Sequence, residues 1–180
     1  DDSLDPSTAV RDQFIEDMRS RALAEVPELA NAQHYEVPAP FYDLCLGVHR
    51  KYSCCHWDDA SDLDTAESNA LELSARHADL QDGQDILELG CGWGSFTLWM
   101  AQRYPNSRIT AISNSHGQRE SIERSARERG LHNIEVRTVD VNVLELDTQF
   151  DRIVSIEMME HLRNWPRLLR LMRSWLRPEG

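Results

Sequence analysis

The stretch Ile86-Leu87-Glu88-Leu89-Gly90-Cys91-Gly92-Trp93-Gly94-Ser95-Phe96 decides the fold. An apolar strand pattern carrying one acid runs into three glycines at alternate positions. An amphipathic helix pattern starts directly after them. Glycine accepts positive φ and lets a ligand approach the main chain closely. Strand, Gly-rich turn and helix N-terminus in that order make a cofactor site of the nucleotide type.

Beyond this turn the chain alternates. Strands are expected at 86–89, 108–113, 134–139 and 151–156. Helices are expected at 94–103, at 117–129 closed by Gly130, and at 164–176. Short strands alternating with longer helices indicate βαβ units and a parallel sheet, an α/β Rossmann-like fold. Right-handed crossovers place the ligand at the carboxyl ends of the strands.

Upstream, Ser7-Thr8 can cap a helix running to about Ala30, with Val10, Phe14, Met18 and Leu23 near helical spacing. The aromatic-rich segment from His34 to Trp57 is broken by Pro38 and Pro40. It reads as a short helix over 41–47 and an extended loop over 50–57. A helix over 63–80 sets Ala66, Ala70, Leu73 and His77 on one side, and Asp82-Gly83 stops it. Residues 1–80 are expected to form a helical cap and cofactor lid, and 81–180 the N-terminal part of the Rossmann-like domain. The last residues, Leu176-Arg177-Pro178-Glu179-Gly180, resemble a helix exit into a further strand. The expectation is a fold truncated after its fourth strand. That strand then has an open apolar edge, completed by a further C-terminal segment or by homo-oligomerisation.

The 180 residues suffice for one domain with a core, and 41% hydrophobic with 28% charged is ordinary for a globular chain. The net charge of -12 disfavours nucleic acid and anionic lipid surfaces. The arginine groups at 19/21, 124–129 and 163–177 read as solvated helix faces. No apolar run approaches the roughly 20 residues of a transmembrane segment. Cys45, Cys54, Cys55 and Cys91 form no C-x-x-C pair, so no metal site is expected. The acidic start has no signal-peptide pattern, and a reducing, cytoplasmic compartment is expected.

Several readings compete for the glycines. A dinucleotide site wants G-x-G-x-x-G/A and an acid ending the second strand, where this chain has Ser95 and Ile112-Ser113-Asn114. A P-loop wants a Lys that is absent. A bare turn needs no third glycine. The remaining pattern, E-x-G-x-G-x-G, resembles class I S-adenosylmethionine-dependent methyltransferases. Glycines clear space for the methionine part, N–H groups at the helix start meet its carboxylate, and Glu88 answers its ammonium.

Further motifs extend the likeness. Tyr52-Ser53-Cys54-Cys55 with Trp57, Asn114 to Gln118, Asp140-Val141 and Glu157-Met158-Met159-Glu160-His161 resemble the cyclopropane-fatty-acid-synthase family, which includes N-methyltransferases of the coclaurine type. The resemblance covers roughly residues 34 to 180. It implies that Tyr52 and Ser53 contact the methionine end and that Gly90 and Gly92 form the backbone platform. Asn114 replaces the missing ribose acid with Gln118 nearby, and Asp140 and Val141 flank the adenine. The implied cofactor is S-adenosylmethionine, with S-adenosylhomocysteine (SAH) as product.

Glu157, Glu160 and His161 follow the fourth strand at its carboxyl end, and two acids and a His within five residues can converge on one pocket. A protonated amine must lose a proton before it attacks a methyl carbon, which suits a carboxylate and a His. These three are the expected catalytic residues. The synthase branch usually carries Gly where Glu157 stands, so Glu157 favours methylation of a small-molecule amine. The alternative acceptor is an unsaturated phospholipid, with bicarbonate as base. A non-catalytic cofactor-binding module is the other alternative.

Overall fold

A computed structural model describes residues 6–25 and 39–180. Among them the helices are α1 (Pro6–Ser20), α2 (Ala39–Cys45), α3 (Leu63–His77), α4 (Ser95–Arg103), α5 (His116–Glu128) and α6 (Trp165–Trp175). The strands are β1 (Asp85–Leu89), β2 (Arg108–Ser113), β3 (Ile134–Thr138) and β4 (Arg152–Val154). They form one parallel sheet in the order β3-β2-β1-β4. The chain winds outward from β1 to β3 and then returns to place β4 on the other side of β1. The strand order therefore reverses between β1 and β4, and such a switch point opens a crevice at the carboxyl ends of those two strands.

β1 is buried along its whole length, as a central parallel strand covered on both faces should be. Its side chains alternate between two cores. Leu87 and Leu89 face Leu168 and Trp175 of α6, together with Leu23 and Ala24 from the segment after α1. Ile86 faces Leu71 and Ala75 of α3 and Phe96 and Met100 of α4. Glu88 shares the face of Ile86, so an acid is carried into an apolar layer. Ala111, Ile122, Ala126 and Val136 form a third cluster between α5 and the sheet.

Local chemistry starts and stops the elements. Asp62 caps α3 by accepting from the Thr65 N–H at 2.8 Å, and Asn164 caps α6 by accepting from the Arg167 N–H at 3.1 Å. At the amino end of β1, Asp85 receives a two-pronged bond from Arg108, at 2.6 and 2.9 Å, and a third from Arg177 at 2.5 Å. The Arg108 guanidinium foremost holds its carboxyl down at about 2.

Several expectations need correction. α1 begins at Pro6 and ends at Ser20, so Ser7 and Thr8 lie inside it and Leu23 beyond it. Leu23 is buried because the chain after Ser20 turns onto α6, with Asn164 donating to the Arg19 and Arg21 carbonyls. The expected continuation over 26–30 lies outside the described residues. α3 ends at His77 and turns Ala66, Glu67, Ala70, Leu71 and Ala75 inward, leaving Leu73 half-buried and His77 exposed. β4 stops at Val154 because the Ser155 hydroxyl donates to the Leu89 carbonyl at 3.0 Å instead of continuing the ladder. β4 is the sheet edge among the described residues, and a bridge between Phe150 and Leu176 covers its start. The arginines of 163–177 are not all solvated: Arg163 lies over the Phe14 ring and bonds Asp17, and Arg177 pairs with Asp85 and Asp151.

Candidate active site

Two cavities open at the switch point and meet over the glycine turn. One, about 360 Å³, is lined by Asn114, Gln118, Asp140 and Val141 from the ends of β2 and β3, and by Ala24 and Glu25. The other, about 260 Å³, is lined by Lys51, Tyr52, Ser53, Glu88, Trp93 and Ser95. Gly90, Gly92, Glu157, Glu160 and His161 line both. All twelve residues singled out from the sequence are thus brought to one continuous cleft. The two acids and the imidazole sit at its waist.

The three glycines do different work. All have positive φ, at 78° for Gly90, 53° for Gly92 and 83° for Gly94. A Cβ on Gly90 would lie 2.7 Å from the Met158 Cβ, and one on Gly94 would lie 2.5 Å from Ile122 Cγ1. Gly90 therefore lets the 157–161 segment close onto the turn, and Gly94 lets α4 pack on α5. A Cβ on Gly92 would meet nothing within 4 Å. Of the three, only Gly92 has open space where a Cβ would stand, whereas the sequence reading assigns all three to making room for a ligand.

The waist is held from several directions. The Gly90 and Cys91 N–H groups both donate to the Ile112 carbonyl at 3.0 Å, tying the turn to the end of β2. Residues Met159–His161 form a single 3-10 turn, and the His161 N–H donates to the Met158 carbonyl at 3.0 Å. The Trp165 indole N–H donates to the carbonyls of Met159 and Leu162, both at 3.0 Å. The Arg163 N–H donates to the Leu23 carbonyl at 2.7 Å, so the segment after α1 braces the turn from behind. Glu157 has φ 54°, a conformation that suits glycine. A non-glycine residue there stores about 1–3 kcal/mol of strain, which surrounding structure sustains at functional positions.

Unmet polar groups mark what the cleft is built to receive. Glu88 is 3% exposed and, among the described residues, its one bond is from the Thr97 hydroxyl, at 2.5 Å. Burial pushes its carboxyl up to about 7, against the opposing Thr97 bond. A cation beside it would restore the charged form. Gln118 is buried, its amide oxygen accepting from the Ser113 hydroxyl at 2.7 Å, and its amide nitrogen has no partner among the described residues. Asp140 is engaged locally, accepting from the Asn142 N–H at 2.8 Å. Tyr52 is half exposed and packs edge-on against Tyr42, with ring centroids 5.1 Å apart. Among the described residues, no group of three His, Cys, Asp or Glu side chains is placed to hold a metal ion.

Two residues of the site escaped sequence reading. Glu67 is fully buried and accepts three backbone N–H bonds, from Gly47 at 3.0 Å, His49 at 2.8 Å and Lys51 at 3.0 Å. It ties the loop carrying Tyr52 and Ser53 to α3. Lys51 is 6% exposed and lines the cavity of Glu88. No local motif announces either, because the partners lie 16 to 20 residues apart. Glu67→Ala orphans three backbone donors, that of Lys51 buried and those of Gly47 and His49 partly so, and a loss of about 3–5 kcal/mol is expected in urea unfolding. A stability equal to that of the parent chain would remove Glu67 from this role.

Comparison with known proteins gives one consistent result. The family model described as mycolic acid cyclopropane synthetase matches residues 25–180. An (S)-coclaurine N-methyltransferase of Thalictrum flavum subsp. glaucum is 40% identical over 91% of this chain and 45% of its own length. The cyclopropane-fatty-acyl-phospholipid synthase of Escherichia coli K12 is 29% identical over 84% of this chain and 39% of its own length. A solved coclaurine N-methyltransferase, bound to N-methylheliamine and SAH, superposes with a TM-score of 0.91 at 38% identity, covering 100% of this chain and 52% of that one. The chain spans about half the length of the relatives it matches.

Proposed function

Because the chain belongs to the mycolic acid cyclopropane synthetase family, we propose that its cleft holds S-adenosylmethionine and serves methyl transfer to the nitrogen of a small-molecule amine. The observation that carries this reading is the shared waist. Glu157, Glu160 and His161 face both the adenosine-side and the methionine-side cavity, where the two halves of such a cofactor join. The fit is chemical as well as spatial. Glu88 is a buried acid awaiting a cation, Gln118 a buried amide donor awaiting an acceptor, and Gly92 leaves open space between them. Bound there, S-adenosylmethionine supplies a methyl carbon activated toward a nucleophile and leaves as SAH.

The residues of the chain then have separable tasks. Tyr52, Ser53 and Glu88 hold the methionine end, and Gly90 and Gly92 form the backbone floor. Asn114, Gln118, Asp140 and Val141 hold the adenosine end. Glu157 and Glu160 attract the ammonium form of the substrate. Glu160 and His161 take its proton, so that the nitrogen lone pair is free to attack. Residues 1–80 act as the cap and cofactor lid through Tyr52 and Ser53. The four free thiols support a reducing, cytoplasmic compartment.

Glu157 favours an amine over a lipid acceptor. The chain keeps a carboxylate in a backbone conformation that glycine would adopt without strain, so the carboxylate itself is what the position retains. Glu157→Gly is expected to leave thermal stability at least as high and to lower amine turnover. Unchanged turnover would detach Glu157 from acceptor recognition. The N-methyltransferase relatives support the same preference. The test is labelled methyl transfer from S-adenosylmethionine to cyclic secondary amines and, in parallel, to unsaturated phospholipid vesicles, with and without bicarbonate. Label in the amine, independent of bicarbonate, is expected. Label in the lipid alone would assign the synthase activity instead.

Glu88 gives the site a pH signature. Its folded pKa is raised from 4.5 to about 7. The native state therefore binds the extra proton, and its stability falls as pH rises from about 4.5 through about 7. The whole loss amounts to about 3 kcal/mol. An ammonium bound beside Glu88 needs the carboxylate, so SAH binding at pH 6 releases close to one proton. Calorimetry in buffers of different ionisation enthalpy measures it, and Glu88→Gln is expected to abolish the release. A proton release of zero in the parent chain would place the ammonium elsewhere.

A further inference from the structure

The cavity on the Tyr52–Ser53 side is lined by a buried acid and a buried base, neither of which has a counter-ion among the described residues. Glu88 is the acid. Lys51 is the base: it is 6% exposed, and its ammonium donates to the Ser53 hydroxyl at 2.5 Å. Among the described residues no carboxylate lies within ion-pair distance of it. The neighbouring cation of the same cavity, Arg50, is already paired with Asp43 at 2.6 Å. Lys51 is not placed there by accident of a mobile loop, because its own peptide N–H is fixed by buried Glu67. An ammonium has three donors, and burying one with a single hydroxyl partner is costly unless an anion joins it. Ser95, the first residue of α4, lines the same cavity with a buried hydroxyl that has no partner among the described residues.

We infer that this cavity is a cradle for a zwitterion, in which Lys51, aided by the Ser95 hydroxyl, holds the α-carboxylate of the ligand's amino-acid end while Glu88 holds its ammonium. The inference rests on the cofactor reading given above and extends it to a specific ionic contact. The role of Ser53 changes with it. Besides touching the ligand, Ser53 orients the Lys51 ammonium. Lys51 is thus a binding residue that selects ligands with an intact amino-acid head, and it takes no part in proton transfer.

The test uses calorimetry with two probes: SAH, and its decarboxylated analogue, which keeps the amine and lacks the carboxylate. The parent chain is expected to bind SAH about 10- to 100-fold more tightly than the analogue, the range for a hydrogen bond between charged groups. Lys51→Met is expected to weaken SAH by a similar factor and to leave the analogue unchanged, so that discrimination disappears. Lys51→Arg is expected to retain part of it. Equal weakening of both probes by Lys51→Met would reveal a structural role only and overturn the assignment. Equal binding of both probes by the parent chain would overturn it as well, even if Lys51→Met failed to fold, while leaving the cofactor reading standing. No binding of SAH at all would reject the cofactor reading itself.

Discussion

His161→Ala is expected to lower amine turnover by about 10²- to 10⁴-fold, the span that a positioned general acid–base group contributes. The effect belongs in kcat. His161 lies at the waist of the cleft, where both cavities meet, and its backbone is fixed by the bond to Met158 and by the Trp165 indole over the same turn. Removing the ring changes none of these main-chain bonds. SAH affinity is therefore expected to stay within a small factor of the parent value, and the melting temperature to stay close to it. His161→Gln, which keeps polarity and loses basicity, is expected to be nearly as poor. Steady-state kinetics with calorimetry on the same samples separates the possibilities. Unchanged turnover would remove His161 from the chemistry, and an equal fall in SAH affinity would recast it as a cofactor contact.

Gly90→Ala is the second large effect, and it acts on the fold and the site together. The new methyl would stand 2.7 Å from Met158 Cβ and 2.8 Å from its Cγ, at a φ of 78°. Left-handed strain at a non-glycine residue and overpacking each cost about 1–3 kcal/mol, so about 2–5 kcal/mol of stability is expected to be lost. Relief comes only by pushing Met158 outward, and Met158 is flanked by Glu157 and by the turn that carries Glu160 and His161. Turnover is expected to fall further than stability alone explains. Gly92→Ala is the informative contrast. Its methyl meets no described atom within 4 Å, so at φ 53° it carries the left-handed strain of about 1–3 kcal/mol without the overpacking, while SAH binding weakens. Urea midpoints and SAH affinities of the two variants are expected to rank in opposite orders. The same order in both measurements would show that the glycines serve one purpose.

Much of this was legible in the chain because the signals are local. Ile86 to Gly94 shows strand, turn and helix start within nine positions, and β2 falls at 108–113 as its apolar run implies. Glu157 to His161 announces itself by clustering. What was not legible depends on distant partners. Leu23 fits a helical spacing, but the chain leaves the helix at Ser20 because Asn164 captures the carbonyls of Arg19 and Arg21. Glu67 reads as a surface acid on a helix, yet three peptide N–H groups from a loop make its burial possible. Lys51 carries no motif at all, and its meaning appears only once Glu88 is seen lining the same cavity. The glycine turn stands out in the sequence, but the division between packing at 90 and 94 and open space at 92 is a property of neighbours far along the sequence.

The most direct test of the account is a crystal structure of the protein with SAH. The adenosine part is expected beside Asn114, Gln118, Asp140 and Val141, and the sulfur at the waist facing Glu157, Glu160 and His161. The amino-acid end should lie between Glu88 and Lys51. SAH bound in the reverse direction, or outside the crevice between β1 and β4, would contradict it.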